Sequence, residues 1–189
     1  MPVCPWAISE PERTYHDREW GVPVHDDRVL FEFITLEGAQ AGLSWSTILN
    51  KRAGYAQAFC GWDIEKIARL NKRSVDRLVG DASIVRHRGK IESTIGNAKA
   101  ALSAIETHGS LDAYLWRFVN GTPTVNRFES MAEVPAKTAA SDAMSKALKR
   151  DGFKFVGSTI CYAFMQAVGM VNDHLVSCPR WRVLSEHEA

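Results

Sequence analysis

This chain is poor in most of the features that would place it early. No apolar run approaches the ~20 residues of a membrane-spanning helix, which argues against an integral membrane protein. The opening MPVCPWAISEPER has no apolar core of the kind a secretory signal carries, so the expected location is the cytoplasm. There is no low-complexity tract and no internal repeat, which removes disordered-linker and solenoid readings. Charge of one sign is also missing: 23 Lys and Arg stand against 22 Asp and Glu, a formal net charge of +1. That excludes a general polyanion coat, though a small footprint on nucleic acid needs only a local positive face. Such groups exist, in Arg86, Arg88 and Lys90 and in Lys146, Lys149, Arg150 and Lys154. With only four cysteines, Cys4, Cys60, Cys161 and Cys178, a disulfide scaffold is not indicated. Segments of alternating polarity long enough for a sheet are absent as well.

What remains is helix. From about residue 27 nearly every segment carries helical periodicity, so the fold class is all-α, and 189 residues suffice for one domain or two small lobes sharing a cleft. The decisive stretch is Leu30–Arg52, LFEFITLEGAQAGLSWSTILNKR. Asp26 or Asp27 is placed to cap a helix in which Leu30, Phe33, Ile34 and Ala41 share a face, and Glu37 falls on the same inward stripe. Burial costs a carboxylate several kcal/mol, of order ~2–7 even for a neutral polar group, so something must compensate it. Gly42 then breaks the helix and Ser44 is placed to cap the next, leaving Leu43 and Trp45 at a tight bend. Taken alone, this is equally a core acid beside a core tryptophan.

Further along, helices are expected behind Asp63 (DIEKIARL) and Ser74 (SVDRLV), from Gly89 to about Thr107, through SLDAYLWRFV to Asn120-Gly121, from Ser141 to Asp151-Gly152, and again from near Gly157. Thr122–Ala140, with two prolines, reads as irregular. Three constellations carry possible chemistry. Cys4, His16, His174 and Cys178 are zinc-type donors, His174 and Cys178 one helical turn apart, which together would tie the two ends of the chain. Their spacing matches no standard finger, so idle side chains near the ends are an equal reading. Gly152–Gly169 has a helix–turn–helix outline whose turn amides, with Lys154 beside them, suit a phosphate, although a plain connection between helices has the same outline. Trp6, Tyr15, Trp20 and Trp45 around Glu37 would make a receptor for a flat cationic ring, or equally an aromatic packing cluster.

Taken together, YHDREWGVP (Tyr15–Pro23), LEGAQAGLSW (Leu36–Trp45), RHRGKI (Arg86–Ile91) and the run Ser141–His174, with Cys4 and Cys178 at the ends, closely resemble the DNA-3-methyladenine glycosylase I family of the helix-hairpin-helix superfamily. The resemblance implies a single all-α glycosylase domain over residues 1–189, with two helical lobes around a cleft. It implies a monofunctional enzyme that flips 3-methyladenine from alkylated double-stranded DNA and removes it by hydrolysis. The family's catalytic pair falls on Glu37 and Tyr15, its base-stacking and wall positions on Trp45, Trp6 and Trp20, and its wedge on Gly42 and Leu43. Lys154 and Gly157 would meet the backbone. Cys4, His16, His174 and Cys178 match its structural zinc set, with no redox or nucleotide cofactor. Its members are expected to act as monomers.

Three positions depart from the wider superfamily or family pattern. Asn172 aligns with a catalytic Asp of other members, with Asp173 adjacent. Ser158-Thr159 stands where members that also cut the backbone carry a lysine, which implies no lyase step. A tyrosine expected a few residues before Tyr15 is missing from Glu12-Arg13-Thr14. The competing expectations are a non-catalytic damage binder of the same fold and a zinc-stabilised interaction domain without DNA. Cys60 and Cys161 are expected to be buried on helix faces.

Overall fold

The computed structural model describes residues 4–186. Among them the chain forms ten α-helices, whose starts follow the capping residues. α1 (Glu10–Arg18) opens on a capping box in which the Ser9 N–H and hydroxyl both donate to Glu12 Oε2, at 2.9 and 2.8 Å. α2 (Asp27–Gln40) is capped by Asp26, α3 (Trp45–Ala58) by Ser44 and α4 (Ile64–Ala68) by Asp63. α5 (Lys72–Val79) starts at Asn71, three residues before the expected Ser74, because the Asn71 carboxamide accepts the Ser74 N–H and leaves that serine inside the first turn. α6 (Arg88–His108) and α7 (Leu111–Trp116) follow. α8 (Ala139–Arg150) begins before Ser141, behind a capping box on Thr138, and α9 (Ser158–Ala167) and α10 (Pro179–Ser185) complete the set. The sequence periodicity had pointed to neither α1 nor α10. α1 carries mostly charged side chains and buries only Tyr15 and His16, and α10 buries none.

α2 is the central element. Every residue from Leu30 to Ala39 is buried, so this stretch of the helix has no solvent face, and α2 packs against α3, α6, α7 and α9. Gly38 lets the α8–α9 connection approach, since a Cβ there would stand 3.1 Å from the Phe155 carbonyl oxygen. The stretch 122–138 contains one regular pairing: β1 (Thr124–Val125) runs parallel to β2 (Val171–Asn172), with Thr124 opposite Val171. Among the described residues no helix is long and apolar enough to cross a membrane.

The segment after α1 lies along the end of α9. The Gly21 N–H donates to Gln166 O and the Val24 N–H to Val168 O, each at 3.1 Å. Gly169 makes this possible. Its φ is +72°, and a Cβ would collide with the backbone of Val22 and Pro23. Gly169→Ala should therefore lose about 2–5 kcal/mol of stability through left-handed strain and overpacking. A thermal melt checks this, and an unchanged midpoint would contradict the close approach.

Candidate functional site

Two adjoining features are built where the chain's ends meet α2. The first is a cluster of Cys4, His16, His174 and Cys178, all buried, with their candidate ligand atoms within 4.8 Å of one another. Cys4 Sγ and Cys178 Sγ each lie 3.7 Å from His174 Nδ1. Cys178 Sγ is 3.6 Å from His16 Nε2, and the two imidazole nitrogens are 3.1 Å apart. A zinc tetrahedron with ordinary Zn–S and Zn–N bonds has S···N and N···N edges of about 3.3–3.6 Å, so the four atoms stand close to that arrangement. The outward ring nitrogens are engaged, His16 Nδ1 with Asp17 Oδ1 at 2.7 Å and His174 Nε2 with the Trp20 carbonyl at 3.0 Å. These contacts aim the other nitrogen of each ring inward, as partners of metal-binding histidines do. The Cys4 thiol, followed by the two imidazoles, pulls the Cys178 thiol far below its usual range. His174 and Cys178 are not on a helix, contrary to the spacing argument. They lie on the loop and turn between β2 and α10.

The second feature is a cavity of about 270 Å³. Trp6, Tyr15, Trp20, Glu37 and Trp45 all line it. The Trp6 and Trp20 rings meet edge-on at 5.0 Å, and Tyr15 and Trp45 are tilted at 5.3 Å. Trp20 also meets His174 edge-on at 4.5 Å, so one wall of the cavity rests on the Cys/His cluster. Trp6 Nε1, Tyr15 Oη and Trp45 Nε1 are buried without a hydrogen-bond partner. Buried polar groups are almost always paired, so three orphan donors around one cavity mark a place shaped for a ligand.

Two acids face one another chemically across this cavity. Glu37, 5% exposed, has no hydrogen-bond or ion-pair partner among the described residues, and burial pushes its carboxyl up to about 8. The same burial, followed by the nearby Glu37 charge, raises the Tyr15 hydroxyl. Asp173, 1% exposed, is instead saturated by the Tyr162 hydroxyl at 2.5 Å, Asn126 Nδ2 at 2.7 Å and Gln166 Nε2 at 2.8 Å. Asn172 points elsewhere, donating to Trp181 O and Ser185 Oγ, so the acid that lines the cavity is Asp173. Glu32, the other buried acid of α2, is paired at 2.7 Å with Arg52 of α3, which also holds Glu19. Glu37 is thus the one cavity acid left without protein compensation.

Between α2 and α3, Gly42 is exposed at φ +80° and Leu43 is 40% exposed. The α8–α9 turn carries Gly152 at φ +95°, an exposed Lys154 and, at Gly157, an N-cap that offers no side chain to the first N–H groups of α9. Arg86 and Arg88 are exposed, Arg88 pairing with Asp76 at 2.8 Å, but Lys90 is buried and belongs to no basic face. Cys161 is buried as expected. Cys60 is exposed, because it sits at φ +56° in a 3₁₀ turn (Cys60–Trp62) and not on a helix face. Sequence reasoning missed Gln40, Met131, Val134, Ala163 and Gln166 in the cavity wall, and left Asp173 only as the neighbour of Asn172. Ala163 and Gln166 are one turn apart on α9 and were findable by periodicity. Met131 and Val134 come from the irregular stretch, which gave no signal.

An aromatic cavity with orphan donors and an acid without a protein partner defines a pocket for a flat ring. The comparisons agree with that class. A family model described as methyladenine glycosylase matches residues 6–181. The chain is 52% identical over 179 residues to DNA-3-methyladenine glycosylase 1 of Escherichia coli K12, covering 94% of this chain and 96% of that one. It is 46% identical over 177 residues to DNA-3-methyladenine glycosylase of Haemophilus influenzae, covering 93% and 96%. A crystal structure of a 3-methyladenine DNA glycosylase I variant in complex with 3-methyladenine superposes with a TM-score of 0.92 at 35% identity, covering 95% and 97%. This chain belongs to the methyladenine glycosylase family.

The sign of the Glu37 shift gives a test in the ligand-free protein. Between the ordinary carboxylate value of 4.5 and about 8, the folded chain keeps a proton that the unfolded chain has released. Stability therefore falls as pH rises through that window. Glu37→Gln removes the dependence, so it should match wild type near pH 4.5 and exceed it by about 2–5 kcal/mol above pH 8. Denaturant titrations at the two pH values measure this, and a variant no more stable at pH 8.5 would contradict the dry acid.

Proposed function

We propose that this chain is a monofunctional glycosylase that flips 3-methyladenine out of alkylated duplex DNA and hydrolyses its glycosidic bond, leaving an abasic site. The observation that carries the reading is the partnerless buried carboxylate of Glu37 in the cavity that Tyr15 and Trp45 also line. Methylation at N3 makes the adenine ring cationic, and a cation entering the cavity supplies the compensation that the protein withholds from Glu37. Glu37 then ionises and accepts from the exocyclic amine. Trp45 stacks on the ring, Tyr15 closes the pocket, and Trp6 and Trp20 wall it. Normal adenine brings no positive charge, so it leaves the acid unpaired and is rejected on that ground.

The target base must first leave the stack, which costs a few kcal/mol that an inserted apolar side chain helps offset. Leu43, carried on Gly42, is placed for that insertion. The open N-terminus of α9 at Gly157, with Lys154 beside it, suits a backbone phosphate in a helix-hairpin-helix arrangement. The base is already a good leaving group: as the C1′–N bond breaks, its electron pair neutralises the ring. Water adds to C1′, and one proton is released. Holding the ring and favouring the positive sugar is the catalytic contribution, with no acid needed to protonate the base. Ser158 and Thr159 offer no amine nucleophile, so no strand cleavage accompanies the reaction.

Zinc fits Cys4, His16, His174 and Cys178, and with all four positions filled by protein it would support structure without activating water. Through Trp20 and Trp6 it would hold one wall of the base pocket. The chain would work as a monomeric cytoplasmic enzyme, a single domain of two helical lobes.

Release of free 3-methyladenine from methylated duplex tests the reading, with Glu37→Gln assayed alongside. The variant should lose release by about 100-fold or more while DNA affinity changes little, because the acid reads the base and not the backbone. A folded wild type that binds the DNA without releasing base would leave only a damage binder. Cys178→Ala should lower the melting midpoint by about 10 °C and abolish stoichiometric zinc, with residual activity in the cold. Activity lost outright in a fully folded, zinc-free protein would oppose a purely structural metal.

A further inference from the structure

The end of α2 is unusual. Each of the other nine helices has a backbone N–H bond at its C-cap, whereas Ala41, at φ −45° and ψ 112°, makes none. The chain turns outward there instead of wrapping back over the last turn, and a single short bond, Leu43 N–H to Gln40 O at 2.6 Å, follows. The orphan carbonyls are met from a distant element: Lys90 Nζ donates to Ala39 O at 2.8 Å and to Ala41 O at 2.7 Å. Lys90 is 9% exposed and has no carboxylate partner among the described residues. It sits in the first turn of α6, where the helix field disfavours a cation. Burial there also lowers its pKa. A buried charge in such a place is retained for what it holds.

We propose that Lys90 is the positioning residue of the Gly42–Leu43 tip, its ammonium taking the place of a backbone C-cap so that α2 can end with the chain projecting outward. Gly42 has nothing within 4 Å of where its Cβ would be, so the tip itself is held by no packing at that residue. The lysine's hydrogen bonds are what fix its exit direction. Because Glu37 lies four residues before Ala41 on the same helix, this anchor also sets the offset between the inserting side chain and the base-reading acid. Lys90 therefore acts on extrusion and not on phosphate. The proposal rests on the glycosylase reading.

The test compares Lys90→Met, which keeps the stem and removes the charge, on two substrates: 3-methyladenine paired in duplex, and 3-methyladenine in single-stranded DNA, where no extrusion is needed. Single-turnover release from duplex should fall about tenfold, with release from the single strand within about twofold of wild type. The dependence of duplex affinity on salt should keep its slope, and Leu43→Ala combined with Lys90→Met should be little worse than either alone. Equal loss on both substrates would make Lys90 merely structural, and a salt slope reduced by about one phosphate contact would make it a DNA ligand; either overturns the proposal. Lys90→Gln, which retains a donor for one carbonyl, should fall between wild type and Lys90→Met on duplex. If Lys90→Met does not fold, Lys90→Gln at wild-type rate on duplex overturns the proposal. Wild type inactive on both substrates would instead sink the underlying glycosylase reading.

Discussion

A buried carboxylate without a protein partner is the constraint around which the molecule is arranged. Glu37 stands in the fully buried stretch Leu30–Ala39 of α2, and burial alone raises its carboxyl to about 8. The contrast with Glu32 is instructive. Five residues earlier on the same helix, that acid is neutralised by Arg52, which simultaneously holds Glu19 and lies over the Phe33 ring at 5.1 Å. The fold has the means to compensate a buried acid and does not use them at Glu37. Asp173, the other acid of the cavity, is equally well provided for, with three donors. A ligand carrying positive charge and a donor edge is what this one position lacks.

The remaining architecture keeps that position dry and correctly aimed. The aromatic wall is supported from behind by the Cys/His cluster, in which Trp20 contributes twice, with its ring against His174 and its carbonyl on Nε2. Residues separated by more than 150 positions in the chain thus meet behind one tryptophan. On the opposite side the end of α2 converts helix geometry into a projecting tip, at the cost of leaving its carbonyls to a lysine of α6. Glu37 and the Gly42–Leu43 turn are thus joined through the last turn of α2, with Lys90 bonded to its end.

Much of this was legible in the residues, for identifiable reasons. α2 and α3 could be read because Asp26 and Ser44 are strong caps and Gly42 interrupts an otherwise helical pattern. The inward placement of Glu37 followed from its spacing to Phe33 and Ile34. Spacing failed where no periodicity exists: His174 and Cys178 are four residues apart yet lie on irregular chain, and Met131 and Val134 enter the cavity from a segment with almost no regular structure. α1 gave no periodic signal because its side chains are mostly charged or polar, with Tyr15 and His16 as its only buried residues. Lys90 was misread as part of a basic face, since proximity in sequence to Arg86 and Arg88 says nothing of which side of α6 it occupies. Asn172 ends β2 and Asp173 follows it on irregular chain, so only the fold decides which of the two adjacent side chains meets the cavity.

The most direct test of this account is the titration of Glu37 itself, followed by the carboxyl carbon-13 resonance of the labelled residue. Its burial should give a midpoint near 8 in the free protein and a large downward displacement when 3-methyladenine-containing DNA fills the cavity. A midpoint at the ordinary carboxylate value of 4.5 in the free protein, unchanged by the lesion base, would mean that the acid is neither dry nor waiting for a cation.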